Sequence, residues 1–242
     1  MAVHHRLQHR LRLDEPILEQ VQRFTYEEML AFLQYPNFIE EGQEVRLHRD
    51  PSEDKRRKND FWLNMLFCWA YVVTLVGLTL HHTHRPELTL TCVNFLLGLL
   101  VWTLVEYYFH RFLLHKEQQP EKITPDKFAE IVDGHGIHHA FPQYRPVIVI
   151  NPRKIIVYSV GIYLGLVWLV STRCTLAVLS GIIAGLTCYD ALHYWMHFGW
   201  PTSFIPLLNL RRSHLKHHYR DTTRGFGVSS TLWDHVFGTT HR

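Results

Sequence analysis

His135-Gly-Ile-His138-His139 and His214-Leu-Lys-His217-His218 repeat one spacing of three histidines, and two pairs accompany them, His110 with His115 and His193 with His197. Imidazole is the commonest biological metal ligand and suits iron, zinc and copper. Positions i, i+3 and i+4 of a helix project from one face. Each triplet is therefore expected to converge, as are His193 and His197. His110 and His115 stand five apart, further round an α-helix, a spacing suited to two different points. These ten ligands exceed what one ion can hold, whereas two ions with five each fit the count. A lone histidine at a membrane boundary is usually just an interfacial polar group. That reading weakens for two HxxHH triplets joined to HxxxH and HxxxxH pairs. The other nine of the nineteen histidines follow no such pattern. His4, His5, His9, His48, His81, His82 and His84 belong to the polar N-terminal region and a turn, and His235 and His241 read as surface residues. The HExxH motif of zinc proteases and the ExxH pattern of carboxylate-bridged bundle oxidases are both absent.

The elements that must carry these groups are apolar. Phe61–Leu80 is twenty residues without a charge, Leu88–Val105 and Ile155–Thr172 are eighteen each, and Cys174–Tyr189 adds sixteen before Asp190. Roughly twenty apolar residues in a helix cross a hydrocarbon core of about 30 Å. Strands would require alternation, and helices of a soluble bundle would show a polar stripe; neither is seen. The connectors His81–Glu87 and Ser171–Cys174 are short turns, so the spans form two hairpins. The fold expected is all-α: an integral membrane protein with four transmembrane helices and a cytosolic helical cap holding a histidine-rich di-metal site.

Only Arg85 and Arg173 of the twenty-five Lys and Arg residues lie in the two turns. By the positive-inside rule both termini, the middle loop and the metal site are cytosolic. The second and fourth spans then exit on that side and run on as helices. Residues 1–60 read as a cytosolic or interfacial segment, with a capping box at Thr25 and Glu28 opening a short helix to Leu33, and Asp54–Asp60 as a polar stop at the headgroups. Residues 61–242 form one functional unit, with hairpins at about 61–105 and 155–190 and metal-binding segments at 106–153 and 190–242. The net charge of +3 is dispersed, which gives no footprint for nucleic acid. The four cysteines lie in or beside apolar runs without a CxxC pair, so neither a disulfide framework nor a cysteine metal site is expected. The first sixteen residues lack the apolar core of a signal peptide.

Four segments carry a family resemblance: Glu106–His115 (EYYFHRFLLH), His135–Pro152 (HGIHHAFPQYRPVIVINP), Tyr189–Gly199 (YDALHYWMHFG) and His214–Thr239 (HLKHHYRDTTRGFGVSSTLWDHVFGT). They resemble the fatty acid hydroxylase superfamily, whose pattern is HxxxxH, HxxHH, HxxxH and HxxHH, and within it the fatty acid 2-hydroxylases. The resemblance implies two bound metals, the endoplasmic reticulum membrane, and hydroxylation next to an acyl carboxyl with dioxygen. The implied substrate is a long-chain fatty acid or ceramide, feeding sphingolipids. Many relatives carry an N-terminal cytochrome b5 domain with an HPGG motif. Residues 1–60 contain no HPGG, so cytochrome b5 and its reductase are expected as separate electron donors.

An unactivated C–H bond does not yield to acid, base or nucleophile, so the working metal must be redox-active, with iron the natural choice. Zinc has no redox chemistry, yet it binds imidazole and can displace ferrous iron, so purified protein can carry it inactive. Beyond the ligands, Asp190 and Tyr189 are the candidate catalytic-site residues. Asp190 lies three before His193, placed to hold a ligand ring, and Tyr189 shares a face with His193 and His197. An interfacial tyrosine explains Tyr189 nearly as well. Glu106 and Asp133 are either site groups or helix-end charges, and Asp234 is expected to hold the C-terminal segment. Tyr107, Tyr108, Phe109, Tyr194, Trp195 and Trp200 either line a lipid entrance or form an interfacial belt. An acyl desaturase or sterol oxidase fits the same metal site. A non-catalytic metal-binding membrane protein, a metal transporter or zinc-binding scaffold, is the other class; transport fits less well, because the spans hold almost no charge or histidine.

Overall fold

A long uncharged stretch can satisfy its backbone inside lipid only as a helix. The computed structural model describes Thr25 and residues 51–115, 135, 137–140, 142, 152–199 and 201–241, and all regular structure among them is helical. The helix expected over residues 26–33, together with Asp133 and Trp200, lies outside the described residues. The helices are α1 (Pro51–His81), α2 (Leu88–Tyr108), α3 (Ile137–Ala140), α4 (Pro152–Leu166), α5 (Thr172–Phe198), α6 (Ile205–Tyr219) and α7 (Leu232–Val236). A 3-10 turn, Arg85–Glu87, precedes α2, and a π-helical turn, Phe109–Leu114, continues it.

Three of these are long and apolar enough to cross a membrane: Lys58–His81, Arg85–Leu114 and Thr172–Phe198. Leu66, Val73, Leu96, Val157 and Leu164 point their side chains outward from α1, α2 and α4. So broad an apolar exterior marks a membrane protein. Helix α1 starts at Pro51 and runs through the charged stretch Asp54–Asp60, while its membrane-length apolar part begins at Lys58.

The expected span Ile155–Thr172 is shorter than read. Helix α4 ends at Leu166, and residues 167–170 form the turn. The Leu169 amide reaches back to Leu166 O at 2.9 Å, tightening the chain. Ser171 then caps α5 by accepting from the Cys174 amide at 3.4 Å. An uncharged run carries no mark of where its last residues are spent on reversing the chain.

Helix α5 is the central element: 72% of its apolar window is buried, against 11% for the α2 span. It packs on α2 through glycines. A Cβ on Gly98 would overlap the Val178 carbonyl, and one on Gly181 would overlap the Phe95 carbonyl. Gly185, four residues beyond Gly181, lies against the Trp102 ring. Small residues at this spacing let two backbones approach, so dispersion contacts replace the hydrophobic drive that lipid removes. Polar links add to it: Tyr71 to Ser159 at 2.6 Å and Thr79 to Ser180 at 3.1 Å. At the turn end Arg173 pairs with Glu87 at 3.2 Å, which puts both turns at one end of the molecule. Helices α2 and α5 therefore run in the same direction and deliver their C-terminal ends, with the histidines, to the other.

Candidate metal centre

At about 1.5 Å per residue, the 27 residues of α5 extend about 40 Å, so its last two turns outrun a hydrocarbon core. Those turns carry His193 and His197. Helix α2 does the same through the π turn, in which the His115 amide bonds the His110 carbonyl at 3.1 Å. A π turn has more residues per revolution than an α turn. It brings residues five apart onto one side, so His110 and His115 face one point rather than two.

All ten pattern histidines come together, in two groups of five. One holds His110, His115, His135, His139 and His217; the other holds His138, His193, His197, His214 and His218. Within each group the ligand nitrogens lie within 4.8 Å of one another. The expectation that each HxxHH triplet converges on one point is therefore corrected. Positions i and i+4 do converge: His135 with His139 in the first group, His214 with His218 in the second. The third member of each triplet crosses over, His138 to the second group and His217 to the first. Adjacent residues on a helix diverge by about 100°, so each HH dipeptide straddles both groups. His139 and His218 stack between them, ring centroids 4.2 Å apart.

The spacing fits a shared cation. Ligands about 2.1 Å from one ion stand about 3.0 Å apart at right angles. The observed Nε2···Nε2 distances are 2.9 Å for His110–His135, 3.0 Å for His135–His139 and His115–His217, and 2.9 Å for His138–His193 and His197–His214. Burial, followed by repulsion from neighbouring imidazoles, holds His115, His135, His138, His139 and His214 well below the usual imidazole value, and the same burial acts on His217 and His218. The rings are neutral at pH 7 and offer lone pairs. Two tautomers are set by partners: His110 Nδ1 faces the Phe226 carbonyl at 2.5 Å and His217 Nδ1 the Arg224 carbonyl at 2.7 Å. A carbonyl accepts, so both Nδ1 atoms carry the proton and both Nε2 atoms present lone pairs to the group.

The carbonyls belong to a loop that sequence reading touched only at its edges. Glu106 is buried and accepts from the amides of Val228 at 2.5 Å and Ser229 at 2.8 Å, and from the Ser229 hydroxyl. Asp234 accepts from the amides of Phe226 at 2.9 Å and Gly227 at 2.8 Å, and from the Thr239 hydroxyl at 2.8 Å. It does hold the C-terminal segment. Of the two roles expected for Glu106, site group or helix-end charge, its burial and its bonds to this loop favour the first.

Asp190 is fully buried on α5, and the Tyr189 ring lies 5.5 Å from that of His193 and 5.8 Å from that of Trp102. The aromatic set divides. Tyr108 and Phe109 are exposed beside Phe112, whereas Tyr107, Tyr194 and Trp195 are buried, with Tyr194 stacked on Phe61 at 3.6 Å. His235 is on the surface, but His241 is half-buried, its ring over Gly225.

Membrane-length helices with ten imidazoles gathered at one end, in two groups of metal-ligand spacing, define a membrane protein with a candidate histidine metal centre. The fatty acid hydroxylase family model matches residues 95–239, and the chain belongs to that family. It is 32% identical over 189 residues to dihydroceramide fatty acyl 2-hydroxylase FAH2 of Arabidopsis thaliana, covering 75% of this chain and 78% of that one. It is 32% identical to ceramide very long chain fatty acid hydroxylase SCS7 of Saccharomyces cerevisiae, covering 75% and 46%, and 35% identical to fatty acid 2-hydroxylase of Rattus norvegicus, covering 60% and 38%. The match thus spans less than half the length of the yeast and rat relatives. The solved structure of full-length Scs7p, in which only the hydroxylase domain is visible, superposes with a TM-score of 0.76 at 26% identity, over 98% of this chain and 88% of that one.

Proposed function

We propose that the chain is a di-metal monooxygenase that hydroxylates carbon 2 of a long-chain fatty acid, free or as the acyl chain of a ceramide. The observation that carries this reading is the pair of five-imidazole groups at one end of membrane-length helices. Family membership and similarity to named 2-hydroxylases give the reaction class. The balance consumes the C–H bond, dioxygen, two electrons and two protons, and yields the alcohol and water. When bound, a redox-active metal pair, iron in the working enzyme, supplies the dioxygen chemistry that no side chain can; zinc suits the same imidazoles without being active.

The chain's own groups do the rest. In the first group His110, His115, His135, His139 and His217 are the proposed ligands, and in the second His138, His193, His197, His214 and His218. Burial keeps His115, His135, His138, His139, His214, His217 and His218 neutral, and the Arg224 and Phe226 carbonyls fix two ring orientations. Asp190 and Tyr189 are proposed as the groups beside the ligands that steady His193 and face the substrate, a role supported by the burial of Asp190 and by the contact between the half-buried Tyr189 ring and that of His193. Exposed Tyr108, Phe109 and Phe112 offer an apolar edge along which an acyl tail stays in hydrocarbon while its carboxyl end reaches the site.

The proposed architecture has α4 as a short fourth membrane segment beside the three long ones, with residues 106–153 and 190–242 forming a cap. Both termini and the site face the cytosol, in the endoplasmic reticulum. The charge asymmetry supports that orientation, since Arg85 and Arg173 are the only Lys or Arg in the turns. Cytochrome b5 and its reductase are the donors the resemblance implies. Lipid analysis by mass spectrometry after expression in sphingolipid-producing cells tests the reading. It predicts acyl chains one oxygen heavier with the hydroxyl on carbon 2. A new double bond, or an oxidised sterol without hydroxyacyl product, would overturn it.

A further inference from the structure

The two histidine groups differ in what lies behind them. In the group of His110, two rings from distant helices bond backbone carbonyls of one loop: His110 Nδ1 to Phe226 O at 2.5 Å and His217 Nδ1 to Arg224 O at 2.7 Å. In the other group the buried Nδ1 atoms of His138, His197, His214 and His218 have no protein hydrogen-bond partner among the described residues, as is also true of His139 in the first group. No described backbone carbonyl is seen behind these four rings of the second group, where Asp190 is the one side chain proposed to steady a ring, that of His193. An Nδ1–H···O=C bond fixes a ring's tautomer and rotation and raises the donor strength of Nε2.

The loop is itself rigidly held. Residues 224–229 would otherwise turn freely, since Gly225 adopts φ +71 and Gly227 has no side chain. Gly225 donates its amide to Thr239 O at 2.8 Å. A Cβ at Gly227 would strike the Ser230 carbonyl, and one at Gly225 would strike the His241 ring. Arg224 donates to the carbonyls of Gly238 at 3.3 Å and Thr240 at 3.0 Å. Two buried carboxylates complete the frame: Glu106 from α2 takes the Val228 and Ser229 amides, and Asp234 from α7 takes those of Phe226 and Gly227. Each carboxylate accepts at least three bonds, which offsets the cost of its burial.

We propose that this loop, clamped by Glu106 and Asp234, is the positioning element of the His110 group, and that it makes this group the tighter of two inequivalent metal sites. The inference rests on the di-metal reading above. Glu106 and Asp234 act through the loop and not as ligands. The group around His138 is the site that loads last and empties first.

Release of zinc tests this. The full chain, purified in detergent and loaded with two equivalents of Zn2+, is challenged with excess colorimetric chelator, and the released metal is followed in time. Release in two phases is expected, about one equivalent each. His193→Ala removes the fast phase and leaves the slow one. Asp234→Asn, which keeps shape but loses one acceptor, and Glu106→Gln each accelerate the slow phase by about 10–100-fold, the usual cost of losing a group behind a ligand, with the fast phase unchanged. Asp234→Glu restores part of the slow rate. A single phase for both equivalents would overturn the proposal, as would variants that speed both phases alike, because a merely structural role loosens both sites. Wild-type protein that retains less than one equivalent contradicts the di-metal reading instead. If Asp234→Asn fails to fold, Glu106→Gln alone decides, since it leaves the Phe226 and Gly227 anchors in place.

Discussion

Replacing one imidazole in each group separates their contributions. His138→Ala and His217→Ala each remove a ring from a different group, and each should cut 2-hydroxylated product at least about 100-fold, since even groups behind a ligand cost 10–100-fold; lipid mass spectrometry reads the loss. Acid should act on both groups together. His115, His135, His138, His139, His214, His217 and His218 are held below their ordinary value of 6.5 by burial. The unfolded chain therefore binds more protons than the folded one at pH below that value. Stability and metal retention are full above pH 6.5 and are lost as pH falls through and below it. Metal content and thermal midpoint measured from pH 8 to 5 check this; a midpoint that rises on acidification would contradict it. All ten residues were legible as a set because their spacing is helical. Their partition was not: HxxHH reads as one converging face only until two centres compete for it, and the five-residue gap to His115 reads as divergence unless a π turn is assumed.

The contact between α2 and α5 is the element on which the site depends, because these two helices carry His110 and His115 on one and His193 and His197 on the other. Gly98→Leu and Gly181→Leu push a side chain into a facing backbone and should destabilise the protein by about 1–3 kcal/mol or more, read as a lowered thermal midpoint in detergent. A Cβ at Gly161 on α4 meets nothing within 4 Å, so Gly161→Leu should leave the midpoint nearly unchanged. Equal effects at all three positions would refute the packing account. The hairpins were legible from charge-free runs and short polar connectors. The glycine contact lay inside those runs, where every residue is apolar and only facing backbones reveal which glycine matters. The early end of α4 was hidden for the same reason: Val167, Trp168, Leu169 and Val170 look like more helix. The loop at 224–229 had no periodic signal, and its anchors, Glu106 and Asp234, are 128 positions apart.

At the scale of the molecule, both turns belong at one face and the histidine groups at the other. In a chain whose four cysteines are replaced, a single cysteine at His84 and one at Arg212 should react with an impermeant reagent from opposite sides of sealed vesicles. Labelling of both from the same side would overturn the proposed topology. The use proposed for this fold is simple: long apolar helices anchor the protein in the solvent of its proposed substrate and present a buried, nitrogen-rich pocket at the boundary proposed to meet an acyl carboxyl. The most direct test of that use is turnover under isotopically heavy dioxygen. Iron-loaded protein, supplied with electrons and a long-chain acyl substrate, should place one heavy oxygen atom on carbon 2, and His138→Ala and His217→Ala should place none. A hydroxyl drawn from water, or one formed equally well by both variants, would contradict the account.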